Sequence, residues 1–293
     1  MEEIFNNSEI EDKLFPSKIT LNSRGKLLLL EEPWVMGIIN TTPDSFYANS
    51  RMGNDQQKIL EKVEEMVITG AKVIDIGGYS SRPGAAEVTV KEELKRVISV
   101  IISIKKEFPK VLLSIDTFRS EVAREAVENG TDIVNDISGG ELDAAMIPTV
   151  GRLNVPYICM HMRGKPETMN TLTHYENLEK DILFYFNQKL TLCKKAGIKD
   201  VIIDPGLGFS KTLAQNYRIL KNLSYFNTIN APILIGLSRK SMIYNLLGIT
   251  QEKALNGTTA LNMVALMNGA KILRVHDVKE AVETVKLYKQ IIA

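Results

Sequence analysis

The chain has 293 residues, with 36 Lys and Arg against 35 Asp and Glu. Hydrophobic residues make up 44% and charged residues 24% of it, a composition typical of a globular chain with a sizeable core, which argues against intrinsic disorder. The balanced charge provides no overall attraction to nucleic acid or to an anionic membrane surface, so neither is expected as a partner.

The compartment is predicted from targeting signals and cysteines. The first residues lack a cationic start followed by an apolar stretch, and no segment reaches the roughly 18 apolar residues of a membrane span. Cys159 and Cys193 lack metal-ligand spacing and are expected to be reduced core thiols. A cytoplasmic location is therefore expected.

Residues 1–33 are predicted to form an N-terminal extension that contains a β-hairpin. Residues 19–22 and 26–30 flank Ser23, Arg24 and Gly25, and the glycine readily adopts the positive φ angle of a tight turn. We expect this hairpin to cover the floor of a second unit, residues 34–293.

Eight short apolar runs, rich in β-branched residues, follow the hairpin, and each ends in polar or glycine residues. Runs of such uniform apolarity are typical of parallel strands covered on both faces, because half-exposed antiparallel strands alternate apolar with polar residues. The runs are Trp34–Asn40, Val73–Gly78, Leu112–Thr117, Ile133–Ile137, Tyr157–Met162, Val201–Gly206, Ile233–Ser238 and Ile272–Asp277.

Helix-like segments lie between these runs, with apolar residues recurring every three or four positions. The clearest are Asp55–Thr69, Lys91–Lys106, Tyr175–Ala196 and Gly257–Asn268. Strand starts are about 34 residues apart on average, close to the roughly 30 that one strand–helix unit needs. Eight such units predict an α/β fold, a (β/α)8 TIM barrel, with an open doubly wound sheet as the less favoured alternative.

The carboxyl ends of the predicted strands are unusually polar, and in a barrel these ends line the catalytic mouth. A single Asp there can simply cap the next helix, but many charges at one rim repel each other unless a ligand organises them. We therefore expect a polar ligand. Acceptors suited to the N–H groups of a flat heterocycle are Asp116, Asn135 and Asp204, and cations suited to phosphate or carboxylate are Arg82, Arg239, Lys240, Arg274 and His276.

The sequence resembles the dihydropteroate synthases from about Trp34 to the C-terminus. Its matching segments occur in that family's order, and their combination is specific although short pieces such as Ser-Ile-Asp-Thr are weak alone. They are Met36–Phe46, Asp75–Gly84, Ser114–Thr117, Val134–Asp136, Met160–Gly164, Asp204–Phe209, Gly236–Ser241 and Arg274–Asp277.

The resemblance implies a pterin-binding (β/α)8 barrel in residues 34–293. The implied reaction condenses 6-hydroxymethyl-7,8-dihydropterin diphosphate with p-aminobenzoate and releases pyrophosphate and 7,8-dihydropteroate, in folate biosynthesis. The resemblance also implies Mg²⁺ as the cofactor, a homodimer, and a target of sulfonamides.

The resemblance further implies three groups of site residues. The pterin would contact Asp116, Asn135, Met160, Asp204 and Lys240. The diphosphate would contact Asn40, Arg82, Arg274 and His276, with Asn40 also serving the Mg²⁺. The p-aminobenzoate would contact Phe46, Ser81, Pro83, Ser238 and Arg239. The catalytic residues would be Arg82, Lys240, Arg274 and His276.

The implied reaction sets simple chemical requirements. Departure of pyrophosphate leaves a delocalised cation, so the protein must stabilise the leaving charge and orient the amine. Arginine, imidazolium and Mg²⁺ suit that task. An aryl amine is unprotonated at neutral pH, which agrees with the absence of an evident nucleophile–base pair.

One departure from the family pattern leaves alternatives open. Residues 47–50, Tyr-Ala-Asn-Ser, stand where the family usually has an Asp followed by Gly-Gly, which admits a non-catalytic pterin-binding paralogue. A methyltetrahydrofolate-type pterin-dependent methyltransferase is disfavoured by Ser81–Gly84 and by Arg274 and His276, because a methyl donor has no diphosphate to bind. A Schiff-base aldolase using Lys240 is a further alternative.

Overall fold

The computed structural model describes residues 19–41, 52–79 and 88–293. A two-stranded antiparallel sheet precedes an eight-stranded parallel sheet whose strands alternate with helices. The strands are β1 (Ile19–Ser23), β2 (Lys26–Leu30), β3 (Trp34–Asn40), β4 (Val73–Gly77), β5 (Leu112–Asp116), β6 (Ile133–Asp136), β7 (Tyr157–Met160), β8 (Val201–Asp204), β9 (Leu234–Ile235) and β10 (Ile272–Val275). The α-helices are α1 (Met52–Thr69), α2 (Val90–Glu107), α3 (Ser120–Glu128), α4 (Met146–Leu153), α5 (Leu178–Lys195), α6 (Leu213–Lys221), α7 (Ser241–Leu247), α8 (Leu255–Met267) and α9 (Val278–Ile292).

The parallel sheet is a nearly closed barrel. Its strands follow the order β8-β7-β6-β5-β4-β3-β10-β9, and a parallel bridge between Ile203 and Ile233 joins its two ends. This arrangement confirms the predicted (β/α)8 TIM barrel and rules out the open doubly wound sheet. Each predicted strand start agrees with the observed one to within one residue.

The hairpin covers the barrel floor, as predicted. Its turn places both Arg24 and Gly25 at positive φ, 50° and 86°. Leu21, Leu28 and Leu30 are buried in one cluster with side chains near the amino ends of the barrel strands: Trp34, Met36, Val73, Ile133, Ile158, Ile202, Leu234 and Ile272. The division of the chain into two units at residue 34 stays a prediction.

The barrel interior changes from apolar at the floor to polar at the mouth. Successive side chains of a strand point to opposite faces, so every second residue faces inward. On β4, Val73 belongs to the floor cluster, Asp75 follows at mid-height and Gly77 ends the strand, whereas Ile74 and Ile76 pack outward in the core beneath the helices. The same alternation brings polar side chains of several strands to the mouth.

Two further sequence predictions concern the cysteines and membrane-spanning helices. Cys159 and Cys193 are free and buried, as predicted. Within residues 19–41, 52–79 and 88–293, the helices are all too short or too polar to cross a bilayer.

Candidate active site

The inward residues at the mouth come from neighbouring strands held in register. Asn40 pairs with Gly77, Gly77 with Asp116, and Asp116 with Asn135. Residues paired in this way lie on the same face of a sheet, so these side chains share the interior of the barrel. Parallel pairing thus gathers residues that the chain separates widely.

Arg274 of β10 links several of these strands. Its Nε donates to Asp75 Oδ2 at 2.6 Å, and its Nη2 donates to Asp116 Oδ2 at 2.5 Å. Asn135 Nδ2 donates to the same oxygen of Asp75 at 3.0 Å. Four strands therefore contribute to one hydrogen-bonded network of predicted site residues around a central carboxylate.

Asp75, that central carboxylate, is a residue that sequence reasoning missed as part of the site. It is fully buried, and its Oδ1 has no hydrogen-bond partner in the part of the chain that the structure describes. A carboxylate in the middle of the otherwise apolar strand Val73–Gly77 was the available signal. A buried carboxylate of this kind is rarely retained for packing alone.

The network shifts the protonation of its members. Burial, aided by Asp75, raises the pKa of Asp116 to about 7 even though Arg274 opposes the shift. Burial works against the charge on Arg274, but Asp75 and Asp116 outweigh it and raise the pKa of the guanidinium. A carboxyl group that titrates near neutral pH at a barrel mouth is typical of a functional site.

Asp204 and Lys240 form a second group at the mouth. Asp204 Oδ1 accepts from Gly206 N at 2.7 Å, and its Oδ2 accepts no hydrogen bond from the described residues. Lys240 Nζ donates to Leu207 O at 2.5 Å and lies 4.7 Å from the centre of the Phe209 ring. Burial lowers the pKa of Lys240 to about 8 and raises that of Asp204, while each charge opposes the shift of the other.

Met160 completes the pterin residues implied by the sequence. It pairs in register with Asp204 and is buried. It packs in an apolar cluster whose partly buried members include Phe118 and Phe209. This cluster offers an apolar surface beside the polar acceptors, as a flat heterocycle requires.

Lys211 is a second residue that sequence reasoning missed. Its buried Nζ donates to Gly206 O at 3.0 Å and to Phe209 O at 2.9 Å, and it lies 3.0 Å from His161 Nδ1. Burial lowers the pKa of Lys211 to about 7. The lysine thus ties the loop that follows Asp204 to the end of β7.

Ser238 and His276 follow β9 and β10 and contact each other. Ser238 Oγ accepts from His276 N at 3.2 Å and lies 3.1 Å from His276 Nδ1. Burial and the neighbouring Arg274 lower the pKa of His276 to about 4. The ring is therefore neutral near pH 7, and not the imidazolium that the sequence analysis expected.

Arg239 makes contacts that stabilise the fold. Its Nε and Nη2 both donate to the Asp277 carboxylate at 2.8 Å, and its Nη1 donates to Gln251 O at 3.3 Å. The guanidinium thereby links the loop before α8 to the start of α9. A direct role at p-aminobenzoate stays a prediction for this residue.

Asn40 has the chemistry of a metal ligand but not a complete site. A Cβ on Gly77 would lie 3.7 Å from both Asn40 Oδ1 and Asp116 Oδ2, so the two oxygens flank this glycine. Over the described ranges, no group of three or more His, Cys, Asp or Glu side chains is arranged to hold an ion. Because Mg²⁺ commonly combines one or two protein oxygens with substrate phosphates, Asn40 fits it only together with a phosphate ligand.

Four predicted site residues lie outside the described residues: Phe46, Ser81, Arg82 and Pro83. The departure from the family pattern at residues 47–50 lies outside them as well. The roles assigned to these positions stay predictions.

Comparisons with known proteins identify the family of the chain. Residues 36–276 match the family model described as "Pterin binding enzyme". The chain is 42% identical over 276 residues to the dihydropteroate synthase of Escherichia coli (strain K12), covering 91% of this chain and 94% of that one.

Two solved structures extend the agreement to the whole barrel. A Yersinia pestis dihydropteroate synthase in a sulfonamide drug complex has a TM-score of 0.86 and 38% identity, covering 93% of this chain and 98% of that one. A Xanthomonas albilineans dihydropteroate synthase with 4-aminobenzoic acid has a TM-score of 0.86 and 35% identity, covering 94% and 99%. The chain therefore belongs to the dihydropteroate synthase family, the pterin-binding transferases of folate biosynthesis.

Proposed function

We propose that the inward polar residues of the barrel mouth are the pterin diphosphate site at which this chain makes 7,8-dihydropteroate. The observation that carries the proposal is the convergence of acceptor and cationic side chains in one opening. Asp75, Asp116 and Arg274 form one hydrogen-bonded network, and Asp204 interacts electrostatically with both Lys240 and Arg274.

The acceptors suit the pterin ring. The 2-amino-pyrimidinone edge of a pterin is rich in N–H donors, and ionised carboxylates accept such donors in pairs. Asp204 has an oxygen that accepts nothing from the described residues, and Lys240 beside it can donate to the ring oxygen. Met160 supplies an apolar contact to the flat ring.

The cations suit the departing diphosphate. In the reaction, the bond between the methylene carbon and the diphosphate oxygen breaks, and the electron pair leaves with the pyrophosphate. Arg274 keeps its Nη1 free of hydrogen bonds to the described residues and can stabilise that charge. Mg²⁺, held by Asn40 together with diphosphate oxygens, would supply further positive charge when bound.

His276 contributes a hydrogen bond rather than a charge. Ser238 Oγ accepts from His276 N, so its O–H is free to donate to His276 Nδ1. The ring proton then lies on Nε2, which can donate to a phosphate oxygen. Arg82 is assigned to the same diphosphate on the resemblance alone.

The p-aminobenzoate amine attacks the methylene carbon and then loses a proton. Because the amine is unprotonated near neutral pH, positioning matters more than a strong base. We assign p-aminobenzoate to Ser238, with Phe46, Ser81, Pro83 and Arg239 as further contacts. The relatives that hold 4-aminobenzoic acid or a sulfonamide drug support p-aminobenzoate as the second substrate.

A coupled pyrophosphate-release assay, with each substrate omitted in turn, tests the proposal. We expect release only when both the pterin diphosphate and p-aminobenzoate are present with Mg²⁺. Binding of the pterin diphosphate without release would favour the non-catalytic paralogue. Methyl transfer to a corrinoid, or borohydride trapping of Lys240 with a carbonyl substrate, would favour the methyltransferase or the aldolase.

We also propose that the chain is a homodimer. Helix α8 contains no charged residue, and its exposed Val264 and Met267 lie on a helix that contacts α7, where Leu246 and Leu247 are exposed. Exposed apolar groups gathered on adjacent elements are typical of protein–protein interfaces. A second copy of this chain is the proposed occupant of this surface.

A cytoplasmic location completes the proposal. Two free buried cysteines suit a reducing compartment, in which disulfides are rare.

A further inference from the structure

We propose that Asp75 is a positioning residue that fixes the amide of Asn135 and the guanidinium of Arg274 in the orientation that the substrate requires. The inference rests on the proposed pterin diphosphate site and adds to it a residue that does not itself touch the ligand. It concerns which way each of two side chains faces.

The orientation of Asn135 follows from the chemistry of its partner. The oxygen and nitrogen of an amide differ only in accepting or donating, and Asp75 Oδ2 acts as an acceptor because it already accepts from Arg274 Nε. Asn135 must therefore turn its Nδ2 to Asp75 Oδ2, at 3.0 Å. Its Oδ1 is then directed away from Asp75, as an acceptor for a ligand donor.

Arg274 is oriented by the same oxygen. Its Nε donates to Asp75 Oδ2 at 2.6 Å, which fixes the plane of the guanidinium. The two terminal nitrogens then project past Asp75, and Nη2 reaches Asp116 at 2.5 Å. The single oxygen Asp75 Oδ2 thus fixes the position of Asn135, assigned to the pterin ring, relative to Arg274, assigned to the diphosphate.

Packing does not account for a carboxylate at this position. Asp75 is fully buried, its neighbours Ile74 and Ile76 are apolar, and its Oδ1 lacks a partner among the described residues. A buried acceptor without a partner destabilises a fold, so an apolar side chain would serve stability better. The carboxylate is explained by the two donors that it orients.

Two substitutions test the inference, one on each side of the hydrogen bond between Asp75 and Asn135. Asp75→Asn allows Asn135 to turn its Nδ2 to the ligand, and Asn135→Asp sets two carboxylates against each other. We expect each single variant to weaken binding of 6-hydroxymethyl-7,8-dihydropterin about tenfold or more by titration calorimetry. Because one oxygen of Asp75 accepts from both Asn135 and Arg274, the double variant is not expected to restore binding.

Ser114→Ala is the matched control. Ser114 pairs in register with Asp75 and is buried, and its hydroxyl has no hydrogen-bond partner among the described residues, so the variant perturbs the same layer without touching the network. We expect unchanged pterin binding. Thermal melting of every variant separates loss of fold from loss of orientation.

A second measurement applies if Asp75→Asn does not fold. In Asn135→Asp, the two facing carboxyls share a proton, so pterin binding should weaken as the pH rises and that proton is lost. Unchanged pterin affinity in a folded Asp75→Asn variant, or wild-type binding by Asn135→Asp at every pH, would overturn the inference. Failure of the unmodified chain to bind the pterin would instead overturn the proposed site.

Discussion

Asp136 and Asp204 each end a strand at the mouth, but their oxygens are used differently. Asp136 accepts hydrogen bonds from Ser138 N and Oγ, Gly140 N and Tyr157 Oη. Among the residues that the structure describes, Asp204 accepts from one backbone N–H, that of Gly206. The first carboxylate is committed to the fold, whereas the second has an oxygen available to a substrate.

We predict that Asp204→Asn weakens binding of the pterin diphosphate by about 1 to 3 kcal/mol, or about 5- to 150-fold. The new amide presents an N–H where the ring also presents N–H groups. Calorimetry measures the change, with Asp200→Asn, just before the same strand at the floor, as the control. Equal affinities of Asp204→Asn and the unmodified chain would remove Asp204 from the site.

We predict that Arg274→Ala lowers kcat about 100-fold or more, with a smaller effect on affinity for a pterin lacking the diphosphate. The guanidinium is expected to stabilise charge that develops as the diphosphate departs. Steady-state kinetics and calorimetry on the same variant give the two numbers. Equal losses in both would argue against a diphosphate role for Arg274.

We predict that pterin affinity increases as the pH rises through about 7, the pKa to which burial raises Asp116. Below this pH the protonated carboxyl points an O–H at a ring donor, and above it the carboxylate accepts from that donor. Calorimetry from pH 6 to pH 8 measures the trend. Asp116→Asn should abolish it, and a trend that persists in this variant would assign the titration to another group.

At the scale of elements, the loop after β8 is held on two sides by lysines. Lys240 donates to Leu207 O, and Lys211 donates to the carbonyls of Gly206 and Phe209. A loop whose carbonyls accept from two lysine side chains keeps a fixed shape, because each N–H donor replaces a lost contact with water. Asp204 immediately precedes this loop, so the hydrogen bonds that hold the loop also restrain the position of Asp204.

We predict that Lys211→Met lowers the melting temperature and weakens pterin binding more than it raises the KM for p-aminobenzoate. The variant removes the lysine hydrogen bonds to Gly206 O and Phe209 O, which loosens the loop beside Asp204. Lys180→Met, on the exposed face of α5, is the control. A lower melting temperature with unchanged pterin affinity would limit Lys211 to a purely structural role.

At the scale of the whole molecule, the two ends of the barrel have different tasks. The floor is closed by hairpin leucines packed on apolar inward residues, and the mouth gathers the charges. The floor therefore adds stabilising packing at one end, and the proposed substrate site lies at the other, as is typical of (β/α)8 barrels. The exposed apolar face of α7 and α8 belongs to neither end.

We predict that Val264→Glu converts a dimer into monomers at micromolar concentration, because it buries a charge in the proposed interface. Sedimentation velocity measures the mass. Ile68→Glu, at a position that is 77% exposed on α1, should leave the mass unchanged. A monomeric unmodified chain would contradict the proposed dimer, and a Val264→Glu dimer would exclude α8 from the interface.

The local pattern was sufficient to predict the barrel and most of its strand starts. Apolar β-branched runs at regular intervals are properties of neighbouring residues, so they need no knowledge of distant contacts. The short helix α7 and the brevity of β9 were not predicted, because their ends depend on packing against other elements. Convergence of Asp116, Asn135 and Arg274 at the mouth followed from the strand order alone.

The sequence by itself determined the fold class, the family and the kinds of side chain at the mouth, since these follow from periodicity and from motifs at strand ends. Only the tertiary structure decided how those side chains are used. Arg274 and Asp75 lie 199 positions apart, and Arg239 and Asp277 lie 38 apart. Hydrogen-bond partners and pKa shifts arise from contacts made by folding and from burial, neither of which a linear pattern contains.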